Sequence, residues 1–434
     1  MSNTKYDTFW TSETQLYYER ACISKAEGCY LYDAEGNKYL DANSGTWNVF
    51  LGHGVKEIGE SISEQYSKLD YMSNHRFVHD QGIKLSDRLI RLFPEGVFSS
   101  VYFTSGGAEA VDTAIKMAKQ YWYNRGFQGK DRVISLFESY HGSTIGAVGV
   151  SGDPWDRIPF DSLFQDSIHF YPQYCYQCRL GLNRNCCNLA CIRDLEYKIN
   201  FYGEENIGAL IMEPVMGVGG VIIPDSDYFT RVATICKEHN ILLIFDEVTS
   251  GLGRCGEYFA CMYYGIYPDL LLFGKAISNG AQPLAGVMIN ERIKSEFVSP
   301  QMDRQFRHGF TNSGHPVACA AGNCVLDIFE RDRIIDICKQ KSSAFTELLK
   351  RLKGYPFIGE IRIIGLMIAI ELVSPQDGSP LIIPNLDIIF RKKGILLSQM
   401  TQVIGIMPPV AMSSEEFESV IDIIIDTVQE YIEK

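Results

Sequence analysis

The 434-residue chain lacks any apolar stretch near the ~20 residues that a membrane-crossing helix needs. Its opening residues, MSNTKYDTFWTSETQ, have no basic segment followed by an apolar run, so no secretory leader is expected and a cytoplasmic location is. Positive charge is scarce as well. Forty Lys and Arg stand against 53 Asp and Glu, a net charge of −13, which argues against a nucleic-acid surface because neutralising phosphates needs a basic excess. Internal repeats and low-complexity linkers are absent, and the 46% hydrophobic and 21% charged content is that of an ordinary globular protein. Cysteine is not scarce. Of the thirteen, eight are scattered and read as small buried hydrophobes, while five crowd between Cys175 and Cys191. A chain of this length buries a large core and divides into one large and one smaller domain.

The stretch 241–279, ILLIFDEVTSGLGRCGEYFACMYYGIYPDLLLFGKAISN, organises the rest. The apolar run 241–245 ends in Asp246 and Glu247, and the run 270–273 ends in Gly274 and Lys275. Short, bounded apolar runs of this kind read as fully buried strands of a parallel sheet. Ligands of such sheets sit beyond the carboxyl ends of the strands, which puts Asp246 and Lys275 at one crevice. A lysine to form a Schiff base and an acid to keep a pyridine nitrogen protonated are what pyridoxal phosphate requires.

Elements alternate along the chain. The sequence YLYDAEGNKYLDANSG alternates about the turn 34–37 and predicts a hairpin, followed by a Gly-rich loop, TWNVFLGHG. Helical spacing covers 55–71 and 81–93, and Pro94 stops the second. Strands at 101–104, 132–137 and 207–212 alternate with helices at 108–125 and 227–240, the pattern of an α/β domain with a mostly parallel sheet. From 316 the chain is largely helical to 350. Beyond 354 it is α+β, with strands at 361–364, 366–372 and 394–399, a helix near 385–393 and a last helix from Ser413. The expected organisation is an N-terminal segment 1–55 joining the small domain, a large domain 56–315 with a Cys-rich insertion at 171–199, and a C-terminal small domain 316–434.

Four further motifs fall on the same edge, and each has a plainer reading. Ser105-Gly106-Gly107-Ala108 opens a helix whose free amides suit a phosphate, or it is an ordinary tight turn with Glu109 compensating the helix dipole. Tyr140-His141-Gly142 offers an aromatic face, or merely packs a loop. Glu213-Pro214, followed by glycines at 217, 219 and 220, presents an acid or only shapes a loop. Thr311 in HGFTNSGHP offers a hydroxyl to a phosphate, or caps a helix.

From Tyr30 to the C-terminus the chain resembles the class III aminotransferases, which are fold-type I pyridoxal-phosphate enzymes. The run DEVTSGLGRCGEYFA…YPDLLLFGKAISNGAQPLAGV is similar to that family's signature, and SGGAEAVDTAIK, YHGST, EPVMGVGG and HGFTNSGHPVACAA agree with it in order and spacing. The resemblance implies a seven-stranded, mostly parallel sheet flanked by helices, with a smaller α+β domain drawn from both termini. It implies Lys275 as Schiff-base lysine and proton shuttle, and Asp246 as partner of the pyridine nitrogen. Val248 and Tyr140 would pack on the two ring faces. Gly106, Gly107 and Ala108 would cup the phosphate, and Glu213 and His141 would line the pocket. Thr311 would reach the phosphate of a partner subunit in a homodimer with shared sites. SGTWNVFLGHG resembles the substrate-side loop of the ω-transaminase branch, which makes Trp47 a pocket-wall candidate. The implied reaction moves an amino group from a donor amino acid to a ketone or aldehyde on a small molecule or peptide. Racemisation, decarboxylation and elimination on the same site are the alternative.

The chain departs from the family pattern at several points. Ala108 stands where many relatives carry Ser or Thr, and Asn312 replaces an aromatic. An arginine that grips a substrate carboxylate in many relatives is missing from both of its usual positions, which here fall at Gly405 and at Ser398 in GILLSQMTQVIGIMPPV. Arg76 is the remaining cation considered for that task. An acceptor without a carboxylate beside its carbonyl is the consequence expected, in a specialised biosynthesis such as modification of a peptide carbonyl. In the insertion, Cys175, Cys178, Cys186, Cys187 and Cys191 read either as a zinc set, begun by a C-x2-C pair, or as buried thiols or a disulfide.

Overall fold

The computed structural model describes residues 21–164 and 167–433. Its centre is set by strands whose residues are apolar on both faces, because such strands fit only where both faces are covered. Ile207–Met212, Leu242–Asp246, Leu270–Phe273 and Ala285–Ile289 are buried at every position. They form the middle of a seven-stranded sheet in the order Ser100–Thr104, Ala285–Ile289, Leu270–Phe273, Leu242–Asp246, Ile207–Met212, Arg132–Leu136, Ile168–Phe170. Ala285–Ile289 runs antiparallel to both its neighbours, and the other pairings are parallel, so the mostly parallel sheet expected from the sequence is present.

Register does the positioning. Met212 lies beside Phe245, and Asp246 lies beside Leu272. Glu213, Asp246 and, two residues past Phe273, Lys275 therefore leave three adjacent strands at one edge. The helix Gly107–Asn124 lies against this sheet and starts at the same edge, buried along Ala110, Val111, Ala114, Met117, Ala118, Tyr121 and Trp122. The three alanines let it approach closely, while its larger apolar side chains each contribute about 1.5–3 kcal/mol of burial. The indole N–H of Trp122 donates to the Gly208 carbonyl at 2.8 Å, which ties the far end of the helix to the sheet.

The hairpin expected around 34–37 joins Tyr30–Asp33 to Lys38–Asp41, its turn held by Asp33, whose carboxylate accepts from the Glu35 and Asn37 amides and the Tyr39 hydroxyl. Lys38–Asp41 pairs in parallel with Ile395–Leu396, so the N-terminal hairpin joins the C-terminal part of the chain. The last helix, Ser414–Ile432, starts at a capping box between Ser413 and Glu416.

Two sequence expectations are corrected here. The strand expected at 394–399 is two strands: Ile395–Leu396 pairs with the N-terminal hairpin, and Ser398–Met400 pairs antiparallel with Val403–Ile406 in a second sheet. The segment around Gly405, read as a loop, is that strand Val403–Ile406, fully buried between Met367–Leu372 and Ser398–Met400. Glycine hides the strand in the sequence, and the structure shows its use. A Cβ at Gly405 would stand 2.6 Å from the Met400 methyl, which covers that position. The Gly-rich loop around Trp47 also differs, since Ser44–Trp47 is wound into a helical turn broken at Gly45 and Thr46.

The loop after Arg132–Leu136, which carries Tyr140 and His141, is bound to residues 151–152. Glu138 N–H donates to the Gly152 carbonyl at 3.1 Å, Gly152 N–H to the Ser139 carbonyl at 2.9 Å, and His141 N–H to Ser151 Oγ at 2.9 Å. A Cβ at Gly152 would lie 2.0 Å from the Leu136 carbonyl oxygen, and backbone cannot yield there. Gly152→Ala is expected to destabilise the protein by about 2 kcal/mol or more. Thermal denaturation reads this as a lower midpoint, and an unchanged midpoint contradicts it.

Candidate active site

A cavity of about 510 Å³ opens at the edge where the three strands end. Ser105, Gly106, Gly107, Ala108, Tyr140, His141, Glu213, Asp246, Val248, Thr249 and Lys275 line it, together with Asn48, Ser278 and Gln282. The structure thus gathers at one place ten residues that the sequence had proposed along 170 positions of chain. Among the described residues lining the cavity, Lys275 is the one lysine or arginine.

Lys275 follows Phe273-Gly274 with a left-handed backbone, φ 45°, a costly conformation for a residue with a Cβ. Its Nζ donates to Thr249 Oγ1 at 2.6 Å and lies 5.0 Å from the centre of the Trp47 ring. Loss of water around the ammonium pushes its pKa down to about 8, and the pull of Asp246 and Glu213 only partly offsets this. Asp246 is held on both oxygens. Oδ1 accepts the Val248 N–H at 3.1 Å, and Oδ2 lies 2.7 Å from His141 Nδ1. His141 is buried, and its other ring nitrogen, Nε2, is buried without a hydrogen-bond partner. Glu213 accepts the Tyr140 N–H at 3.1 Å and the Gly217 N–H at 2.9 Å, and burial pushes its carboxyl up to about 7.

At the opposite wall, the Gly107–Asn124 helix begins. First-turn amides have no acceptor within their own helix, and here Gly107 and Ala108 belong to that turn. Gly107 is required sterically, because a Cβ there would stand 2.8 Å from Val248 Cγ1. The Ser105 N–H is taken by the Glu109 carboxylate at 2.8 Å, which sets the turn itself.

Other sequence candidates lie elsewhere. Thr311 is exposed and outside this cavity, its carbonyl accepting from the Tyr71 hydroxyl at 3.0 Å. Arg76 is exposed and also outside it. Trp47 is buried behind Lys275. Ser398 and Gly405, the two positions considered for a carboxylate-gripping arginine, are direct partners across one antiparallel strand pair, so either would have faced the same place. Thr249 was missed by the sequence reading, although its position three residues after Asp246 was the signal available. Among the described residues, no group of three or more His, Cys, Asp or Glu is placed to hold a metal ion, and all thirteen cysteines are free thiols. The zinc and disulfide readings of the insertion are therefore not what the structure shows. Cys175, Cys178, Cys187 and Cys191 are half-buried, and burial pushes the Cys191 thiol up to about 11.

A mostly parallel sheet carrying a half-buried lysine and a buried aspartate at its strand ends, facing a glycine-opened helix, defines a pyridoxal-phosphate enzyme of fold type I. Residues 12–428 match the family described as Aminotransferase class-III, and the chain belongs to that family. It is 32% identical to an adenosylmethionine-8-amino-7-oxononanoate aminotransferase of Geobacter sulfurreducens, over 93% of this chain and 91% of the relative. It is 36% identical to a beta-alanine–pyruvate aminotransferase of Pseudomonas aeruginosa, over 83% and 81%. Its fold is similar to an amine transaminase from an uncultivated Pseudomonas species, solved with pyridoxal phosphate bound, at a TM-score of 0.90 and 32% identity over 96% of this chain and 97% of the other. The protein is a pyridoxal-phosphate-dependent aminotransferase, and the cavity fits that cofactor. It offers an amine of lowered pKa, a fixed carboxylate, a steric cradle at Gly107 and, in His141 Nε2, a buried polar atom still without a partner. Among the described residues no helix is long and apolar enough to cross a membrane.

A lysine pKa lowered to about 8 means that the neutral, nucleophilic amine predominates above that pH rather than only above the ordinary lysine range near 10.5. In cofactor-free protein, the rate of covalent capture of pyridoxal phosphate at Lys275 should rise with pH through about 8 and level off by about 9. A rate still climbing beyond pH 10 contradicts the environment described for this lysine.

Proposed function

We propose that the enzyme transfers an amino group from a donor amino acid to a ketone or aldehyde that bears no carboxylate beside its carbonyl. The observation that supports this reading is the cation content of the site, since Lys275 alone among the described cavity-lining residues carries a positive group. Arg362 and Arg254 do not line this cavity, and Arg254 Nε and Nη2 are buried without a hydrogen-bond partner. Arg362 binds Glu371 at 2.6 Å and the Gly220 carbonyl at 2.8 Å, and Arg254 is fully buried with its guanidinium on the Pro408 carbonyl at 2.6 Å.

The roles follow from the geometry. Lys275 would hold the cofactor covalently. Its neutral nitrogen, steadied by Thr249, would take and return the proton at the reacting carbon. Bound pyridoxal phosphate supplies an electron sink for the carbon that loses this proton. Asp246, its orientation fixed by His141 and the Val248 amide, would keep the cofactor's ring nitrogen protonated. Val248 and Tyr140 supply the two ring-facing walls, and the amides at Gly107 and Ala108, with Gly106 before them, would receive the phosphate. The relatives named above are aminotransferases, which gives no support to racemisation, decarboxylation or elimination as the main reaction.

The active unit in this reading is a homodimer in the cytoplasm. Thr311 is free to serve a partner's phosphate, and exposed Phe77 and Val78 belong to the segment whose Asn74 and His79 hydrogen-bond to Ser313 and Gly314, next to it. A specialised biosynthetic substrate, such as a carbonyl on a modified peptide, is the acceptor class that matches a site without a carboxylate clamp. Competition between pyruvate and an aldehyde acceptor such as butanal tests the proposal. The aldehyde should win in kcat/KM by about tenfold or more, the scale of a missing charge-assisted pair. A strong preference for simple 2-oxo acids in both half-reactions would sink it.

A further inference from the structure

Trp47 is held in place by more than packing. Its backbone is left-handed, φ 61°, as are those of Ser44 and Gly45 just before it, at 48° and 65°. A residue with a Cβ stays in that region only where its surroundings impose it. Its indole lies against the backbone of Gly217, where an added Cβ would come within 2.9 Å of the ring, and beside Lys275. The Trp47 N–H is directed at two oxygens, Asn43 Oδ1 at 2.8 Å and Ser398 Oγ at 3.2 Å. The Ser398 hydroxyl in turn donates to the same Asn43 oxygen at 2.6 Å. Asn43 is anchored in its own right, its N–H donating to Asp41 Oδ1 at 3.1 Å and its amide nitrogen to the Gly45 carbonyl at 2.8 Å. Ser44 completes the attachment through its hydroxyl on the Met407 carbonyl at 2.6 Å.

Asn43 thus joins three parts of the chain: the turn that carries Trp47, the Ser398–Met400 strand, and through the ring the wall beside Lys275. The ring belongs to a buried apolar cluster with Val215, Val221, Met367 and Val403, with Met400 packed on it. Hydrogen bonds to Asn43 and Ser398 are the polar contacts that fix the ring's orientation within this packing.

We propose that Asn43 is a positioning residue that clamps the Trp47 indole together with Ser398, and that this clamp limits the bulk of the amine admitted beside Lys275. The inference rests on the site described under the proposed function and deepens it by naming a determinant of amine size. With the clamp in place the site favours slender primary amines, and with Asn43 shortened the ring yields to a bulky substituent.

The test uses cofactor-loaded protein in a single half-reaction, followed as loss of cofactor absorbance on mixing with n-butylamine or with benzylamine. Asn43→Ala is expected to raise the ratio of benzylamine to n-butylamine rates about fivefold, the scale of one lost hydrogen bond. In a Trp47→Phe background, where the ring has no N–H to clamp, the same substitution is expected to move the ratio less than about twofold. Ser398→Ala, which removes the second arm and leaves Asn43 in place, should move the ratio in the same direction as Asn43→Ala. Deuterium exchange reads the clamp without turnover, and Asn43→Ala should raise exchange in the peptide covering 44–50 and leave the cofactor-side peptides unchanged. A ratio unaffected by Asn43→Ala, an equal shift in both backgrounds, or unaltered exchange at 44–50 overturns the proposal. Wild-type protein that loses absorbance with neither amine counts against the proposed function instead, and the exchange result then decides the clamp by itself.

Discussion

Holding a half-buried lysine beside the buried carboxylates of Asp246 and Glu213 is the constraint on which this structure depends. Removing water penalises every charge there, while the opposite charges of Lys275 and Asp246 favour each other. The penalty outweighs the attraction at the lysine, which falls to about 8, and at Glu213, which rises to about 7. Two neighbouring carboxyls are thereby separated in character. Glu213 gives its oxygens to backbone amides of two loops, whereas Asp246 is aimed by His141. Only a sheet with fixed register holds these groups close together against that penalty, because each leaves a different strand and none is able to retreat without breaking a ladder.

The cavity and the layer behind Lys275 are built by different means. The cofactor side comes from strand ends and one helix start, so that local backbone geometry, as at Gly107 and Lys275, does most of the placing. Behind Lys275, the turn at Trp47 and the hairpin of Ser398–Met400 with Val403–Ile406 are far apart in sequence and meet through side-chain hydrogen bonds.

How far the sequence could be read follows this division. The core strands were legible because their runs are continuously apolar and short, and the position of Lys275 beyond one of them followed from general rules for parallel sheets. The helix starting at Gly107 was equally plain. The strand Val403–Ile406 was not legible, because Gly405 and the Pro pair after it break the pattern, and only its partner Met400 explains the glycine. Thr249, Asn43 and the pairing of Ser398 with Gly405 depend on contacts between distant segments, which no local pattern encodes. The five clustered cysteines invited a metal reading that spacing alone supports, but the fold does not draw them into a ligand set.

The most direct test of the account is borohydride reduction of the cofactor-loaded protein followed by peptide mass mapping. The account predicts one reduced pyridoxyl-phosphate adduct, on Lys275, and none in Lys275→Ala. An adduct on another lysine, or a Lys275→Ala protein that still traps the cofactor covalently, would contradict it.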